Sequence, residues 1–100
     1  MALTLLEVTS STGARVQVST SSIEVIEVII QAKDTNTGSV YVGDSTVTST
    51  NGLKLGAPET SRTPDFVSFG TGGIPSNTIN LNSLYIDPVN SNEGTNVFYR

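Results

Sequence analysis

The stretch Ala32-Lys33-Asp34-Thr35-Asn36-Thr37-Gly38-Ser39-Val40-Tyr41-Val42-Gly43-Asp44-Ser45 constrains the fold most. A cluster of turn-forming residues runs into a Val-Tyr-Val strand that glycine stops, and Asn51-Gly52 follows shortly after. Asn, Asp and Gly tolerate the backbone of tight turns, while β-branched and aromatic side chains suit a pleated surface. A segment of this kind builds antiparallel sheet. Neither it nor the rest of the chain holds a histidine or a cysteine. The combination points to a binding or structural module.

Strand and punctuation alternate throughout. Residues 23–32 are rich in Ile and Val, whose branched side chains lose freedom in a helix and fit a sheet. Read as the central strand, they place Ile26, Val28, Ile30 and Ala32 on one face, and Glu27, Ile29, Gln31 and Lys33 on the other. Further strands are predicted over 2–8, 14–19, 39–43, 53–55, 64–69, 83–87 and 95–99, with a weaker one over 44–50. Val40 and Val42 face inward and Tyr41 outward. Asn51-Gly52 predicts a two-residue hairpin that pairs 47–50 with 53–55. Turn-rich clusters separate the strands at 10–13, 35–38, 56–58 and 90–94. About seven or eight short strands at this spacing predict an all-β domain over residues 1–100. The architecture is a single antiparallel β-sandwich or small barrel, jelly-roll-like. Gly70 to Thr78 is expected as a flexible loop, because three glycines and a proline in so short a run resist regular structure.

Composition removes several function classes. Charged residues make up 14% of the chain, against about 25% in ordinary domains. The net charge is −4, and Arg15, Lys33, Lys54, Arg62 and Arg100 are scattered. A duplex binder clusters its cations to displace counterions from phosphate, so nucleic acid is not expected as a partner. No run approaches the roughly 20 apolar residues of a membrane span, so no membrane partner is expected. The first residues lack the charged and apolar regions of a secretion signal, which predicts synthesis in a cytosol.

Candidate chemistry is sparse. Without histidine no serine has a base for nucleophilic attack, and without histidine or cysteine a transition metal lacks its usual ligands. The carboxylates are Glu7, Glu24, Glu27, Asp34, Asp44, Glu59, Asp65, Asp87 and Glu93, and no pair stands out as an acid–base couple. Residues 87–94 lack the alternating acids of a calcium loop and read as an Asp- and Asn-capped turn. Gly70-Thr71-Gly72-Gly73 is followed by Ile74-Pro75 rather than Lys-Ser/Thr, so it is no phosphate cradle. The expectation is no catalytic residue, no metal and no cofactor.

Outward-facing apolar residues are the better candidates. Parity sets Ile29, Tyr41 and Tyr85 opposite the core-facing sets, and Phe66 and Phe69 flank the glycine segment. Grouped on one face they would form an association surface.

Asn36-Thr37-Gly38-Ser39-Val40-Tyr41-Val42-Gly43-Asp44, then Asn51-Gly52-Leu53 and Leu55-Gly56-Ala57-Pro58-Glu59, resembles a pattern in small structural proteins of tailed phages. Leu84-Tyr85-Ile86-Asp87 and the closing Val97-Phe98-Tyr99 are similar to the way such domains end. The resemblance spans roughly residues 23–100, and the long glycine segment departs from the most compact versions. It implies a virion component: a head decoration (cement) protein that binds the major capsid protein, or a small head or tail accessory protein. It also implies a homotrimer on the capsid surface. The alternative is a carbohydrate-binding or adhesion module of a phage head or tail appendage, with Tyr41, Tyr85 or Tyr99 as stacking platforms.

Overall fold

The computed structural model describes residues 3–58, 63–70 and 78–100. Ala2, Glu59, Arg62 and the 71–77 portion of the expected glycine loop lie outside the described residues. Ten strands form among the described residues: β1 (Thr4–Ser10), β2 (Val16–Gln17), β3 (Glu24–Val25), β4 (Glu27–Ala32), β5 (Val40–Gly43), β6 (Leu53–Leu55), β7 (Phe66–Gly70), β8 (Ile79–Asn80), β9 (Tyr85–Pro88) and β10 (Glu93–Tyr99). A 3-10 turn covers Leu81–Ser83. Among the described residues no helix is long and apolar enough to cross a membrane.

The pairing is nested. Strand β1 pairs with β10, β2 with β9, β3 with β8, β4 with β7 and β5 with β6, every pair antiparallel. One long two-stranded ribbon is thus rolled over on itself. Two further pairings, β10 with β4 and β5 with β9, stitch the roll into the sheets β1-β10-β4-β7 and β2-β9-β5-β6. Eight strands in two four-stranded sheets with this order make a jelly roll. The short β3–β8 pair sits between the second and fourth rungs of the ribbon. Neither sheet closes on itself, so the sandwich is realised and the barrel is not.

The core lies between the sheets. Val28, Ile30 and Ala32 of β4, Val97 of β10 and Val8 of β1 come from one sheet; Val40, Val42, Leu55 and Ile86 come from the other. Burial of each valine or isoleucine side chain stabilises by about 1.5–3 kcal/mol before entropy is counted. The inward row Leu6, Val97, Ile30 and Val67 crosses all four strands of the first sheet. Strand β1 is an edge strand of this sheet.

Three expectations are corrected. Residues 23–32 do not form one strand: the N–H groups of Ile26 (2.8 Å) and Glu27 (3.2 Å) both donate to the carbonyl of Arg100. Two residues then face one, a β-bulge, and the side-chain parity shifts across it. Val25 is buried on the far side of the bulge, while Val28, Ile30 and Ala32 keep their expected face.

The 44–50 strand is the second correction, and the Asn51-Gly52 hairpin is the third. Strand β6 pairs with β5, not with 47–50, so a nine-residue loop over 44–52 joins them. Side chains build this loop. Asp44 Oδ1 accepts from the N–H (2.8 Å) and hydroxyl (2.6 Å) of Thr46. Asn51 Oδ1 accepts from Thr48 N–H at 2.7 Å, and the Asn51 amide donates to the Thr46 carbonyl at 3.2 Å. Val47 is only 2% exposed yet lies outside the central core cluster. Its side chain occupies the space beside Gly43 and Gly52, where a Cβ on either glycine would meet Val47 Cγ2. Gly52 is required for that close approach rather than for a type I′ turn.

Candidate interaction face

Antiparallel partners share a face, so the register of the first sheet defines its outer surface. Leu5, Phe98, Ile29 and Ser68 form one outward row across β1, β10, β4 and β7. Glu7, Asn96, Gln31 and Phe66 form the next. Phe66 is 63% exposed and Leu5 54%, and Leu3 just before β1 is also exposed. Ile29 and Phe98 are half-buried between them. This sheet presents apolar surface to solvent where a soluble sheet would carry polar residues.

Charge rims the patch. Lys33 Nζ lies 3.8 Å from a Glu7 carboxylate oxygen and donates to Thr9 Oγ1 at 2.7 Å. The Arg100 guanidinium donates to Glu27 Oε1 at 3.2 Å. These exposed pairs add little stability.

The five predicted surface residues do not gather in one place. Ile29 and Phe66 lie on the outer face just described. Tyr41 and Tyr85 lie on the outer face of the other sheet, in adjacent rows: Tyr41 beside Asp87 and Lys54, Tyr85 beside Gly43 and Gln17. Phe69 points inward, because it lies three residues from Phe66 on the same strand and so takes the opposite face. It shares the row of Thr4, Tyr99 and Val28 and packs against the core, as Tyr99 does. Leu5 and Phe98 complete the patch and were missed. Alternation along β1 and β10 could have placed each outward, but only the register sets both beside Ile29.

A second built feature is polar. The Glu93 carboxylate is buried and accepts from the N–H (2.7 Å) and hydroxyl (2.8 Å) of Thr37 and from the N–H of Gly38 (3.0 Å), with the Asn90 amide at 3.5 Å. Burial pushes its pKa up, but these donors outweigh that, and the carboxyl ionises below its usual range. Asn36 clamps Gly94 from both sides: its amide donates to the Gly94 carbonyl at 2.8 Å, and the Gly94 N–H donates to Asn36 Oδ1 at 3.2 Å. The network ties the 36–38 turn to the start of β10. Every Glu93 oxygen is engaged within the chain, so it braces the turn.

An open depression of about 400 Å³ lies between Val42, Val47, Leu53, Phe69 and Leu84. Its one carboxylate, Asp44, is held below its usual range by the hydroxyl and N–H of Thr46. Among the described residues no group of three or more Asp or Glu side chains is placed to hold a metal ion. No protein-family model matches the chain, and no curated protein or solved structure is significantly similar to it.

Proposed function

We propose that the chain is a structural protein that acts by surface contact: a virion decoration protein that binds the outside of a phage capsid and braces its subunits. The observation that carries the reading is the outer row Leu5, Phe98 and Ile29, with Phe66 beside it, which leaves Leu5 and Phe66 exposed on a jelly roll whose Asp44 and Glu93 carboxylates are engaged by its own loops. Contiguous apolar surface of this kind is stabilised by burial against another protein. The resemblance of the 36–44 and 51–59 segments to phage structural proteins supplies the partner, the major capsid protein. Many equal sites on a capsid multiply a modest affinity.

Co-sedimentation tests it. The purified protein is mixed with heads of the cognate phage that lack it, and the heads are then heated. Saturable binding with raised heat resistance is expected. Absence of binding, or binding with unchanged heat resistance, contradicts the reading.

The glycan reading draws on a different observation. Tyr41 and Tyr85 are diagonal neighbours on the outer face of the second sheet, near Asp87 and Gln17, and could stack on a sugar. Tyr99 faces inward and adds nothing to that platform. A glycan array on which no glycan binds removes it.

A further inference from the structure

Strand β1 forms one edge of its sheet, and no described strand pairs with its outer side. It runs seven residues in unbroken register with β10, with no proline and no bulge. The other edges differ. Strands β2 and β6 have two and three residues. The approach to β7 is tied to Gly56, whose N–H donates to Asp65 Oδ2 at 2.9 Å. Edge strands are commonly blunted by charge, proline or bulges. The one charge in β1 is Glu7, and Lys33 of the same chain lies 3.8 Å from it.

We infer that this edge pairs with the same edge of a second copy, antiparallel about a two-fold axis at Leu5. Identical strands that meet by a two-fold axis are self-complementary. Side-chain parity leaves few registers, because outward residues must oppose outward residues. A centre at Glu7 opposes like charges and is disfavoured. A centre at Leu6 sets Leu5 against Glu7. A centre at Leu5 sets Leu5 against its copy and Glu7 against Leu3. This last register also joins the rows Ile29, Phe98 and Leu5 of both copies into one apolar row across an eight-stranded sheet. The dimer therefore doubles the patch while satisfying the free backbone groups of β1. It closes at two copies and so differs from the trimer that the resemblance implies. The pairing stands independently of capsid binding, since it belongs to the free protein.

The chain has no cysteine, so Leu5→Cys introduces a single thiol. Opposed residues in an antiparallel pair have Cα atoms about 4.5–5.5 Å apart, within disulfide range. Light scattering on the unaltered protein is expected to give a dimer mass that falls on dilution. Mild oxidation is expected to link Leu5→Cys into a covalent dimer and to leave Phe66→Cys monomeric under denaturing conditions. Leu5→Lys is expected to be monomeric with an unchanged circular dichroism spectrum. A monomer at every concentration, a trimer, or equal cross-linking of the two cysteine variants overturns the inference.

Discussion

Glu93 and Thr37 lie 56 residues apart, yet one Glu93 carboxylate oxygen accepts both the Thr37 N–H at 2.7 Å and the Thr37 hydroxyl at 2.8 Å. Gly38 engages the other oxygen. The turn that precedes β5 is thus fastened to the first residue of β10. Structure and pH response meet at this carboxylate.

Its ionisation below the usual range sets the sign of the response. The folded state prefers the charged form more than the unfolded chain does, so the contribution is present above the ordinary glutamate value of about 4.3 and is lost as pH falls below it. Glu93→Gln is expected to destabilise at neutral pH by about 2 kcal/mol, since an amide cannot accept from all these donors. It should also flatten the acid side of the stability profile. Urea denaturation midpoints of both proteins between about pH 7 and about pH 3 check this. An unchanged acid slope in Glu93→Gln would place the response elsewhere.

Gly94 and Gly70 predict opposite outcomes. A Cβ on Gly94 would run into the carbonyl of Val8 and lie 2.9 Å from Thr9 Cα, both backbone atoms of β1. Gly94→Ala should therefore separate β1 from β10 and cost about 3 kcal/mol or more. On Gly70 the nearest atom to a Cβ is the Ile26 carbonyl oxygen at 3.9 Å. Gly70→Ala should be neutral or stabilising by up to about 1 kcal/mol, because alanine loses less backbone entropy in a strand. Thermal unfolding of the pair separates the two effects.

Thr95 is fully buried between Val8 and Ala32, and its hydroxyl has no hydrogen-bond partner among the described residues. Thr95→Val keeps the shape and removes an uncompensated polar atom. A gain of about 1 kcal/mol is expected, equivalent to a rise in Tm of about 4–8 °C in a domain of this size. A lower Tm would mean that the hydroxyl is satisfied in solution.

Val47→Ala should loosen the 44–52 loop by removing the side chain that seats it against Gly43 and Gly52. The loss is about 1–2 kcal/mol, and it is local. Hydrogen exchange should speed up at the Val47, Asn51 and Gly52 amides, whose acceptors lie within the loop, while β10 amides stay protected. Uniform acceleration would make Val47 part of the central core.

The fold class was legible because its signal is local. Alternation of Val28, Ile30 and Ala32 with Ile29 and Gln31 announces a half-buried strand, and turn residues mark the strand ends. The errors arose where tertiary contacts override local preference. Asn51-Gly52 has the chemistry of a two-residue hairpin, but the Asp44 and Asn51 side chains and the seat of Val47 stabilise a wider loop. The bulge at Ile26 depends on Arg100, which is distant in sequence. The site was half legible for the same reason: parity turned Ile29 and Tyr41 outward, but which sheet each would occupy is a matter of pairing. Phe69 failed because a surface role was assigned from its nearness to the glycine segment rather than from its parity with Phe66.

The most direct test of the proposed capsid binding compares variants on the two outer faces. Phe66→Lys alters the face of Leu5, Phe98 and Ile29; Tyr41→Ala and Tyr85→Ala alter the other. Phe66 is largely exposed, so its replacement leaves the core intact. Phe66→Lys is expected to weaken capsid binding at least about tenfold, the loss of roughly 1.4 kcal/mol, with the tyrosine variants binding as the unaltered protein does. Full binding by Phe66→Lys, together with loss in the tyrosine variants, would contradict the assignment of the contact to this sheet.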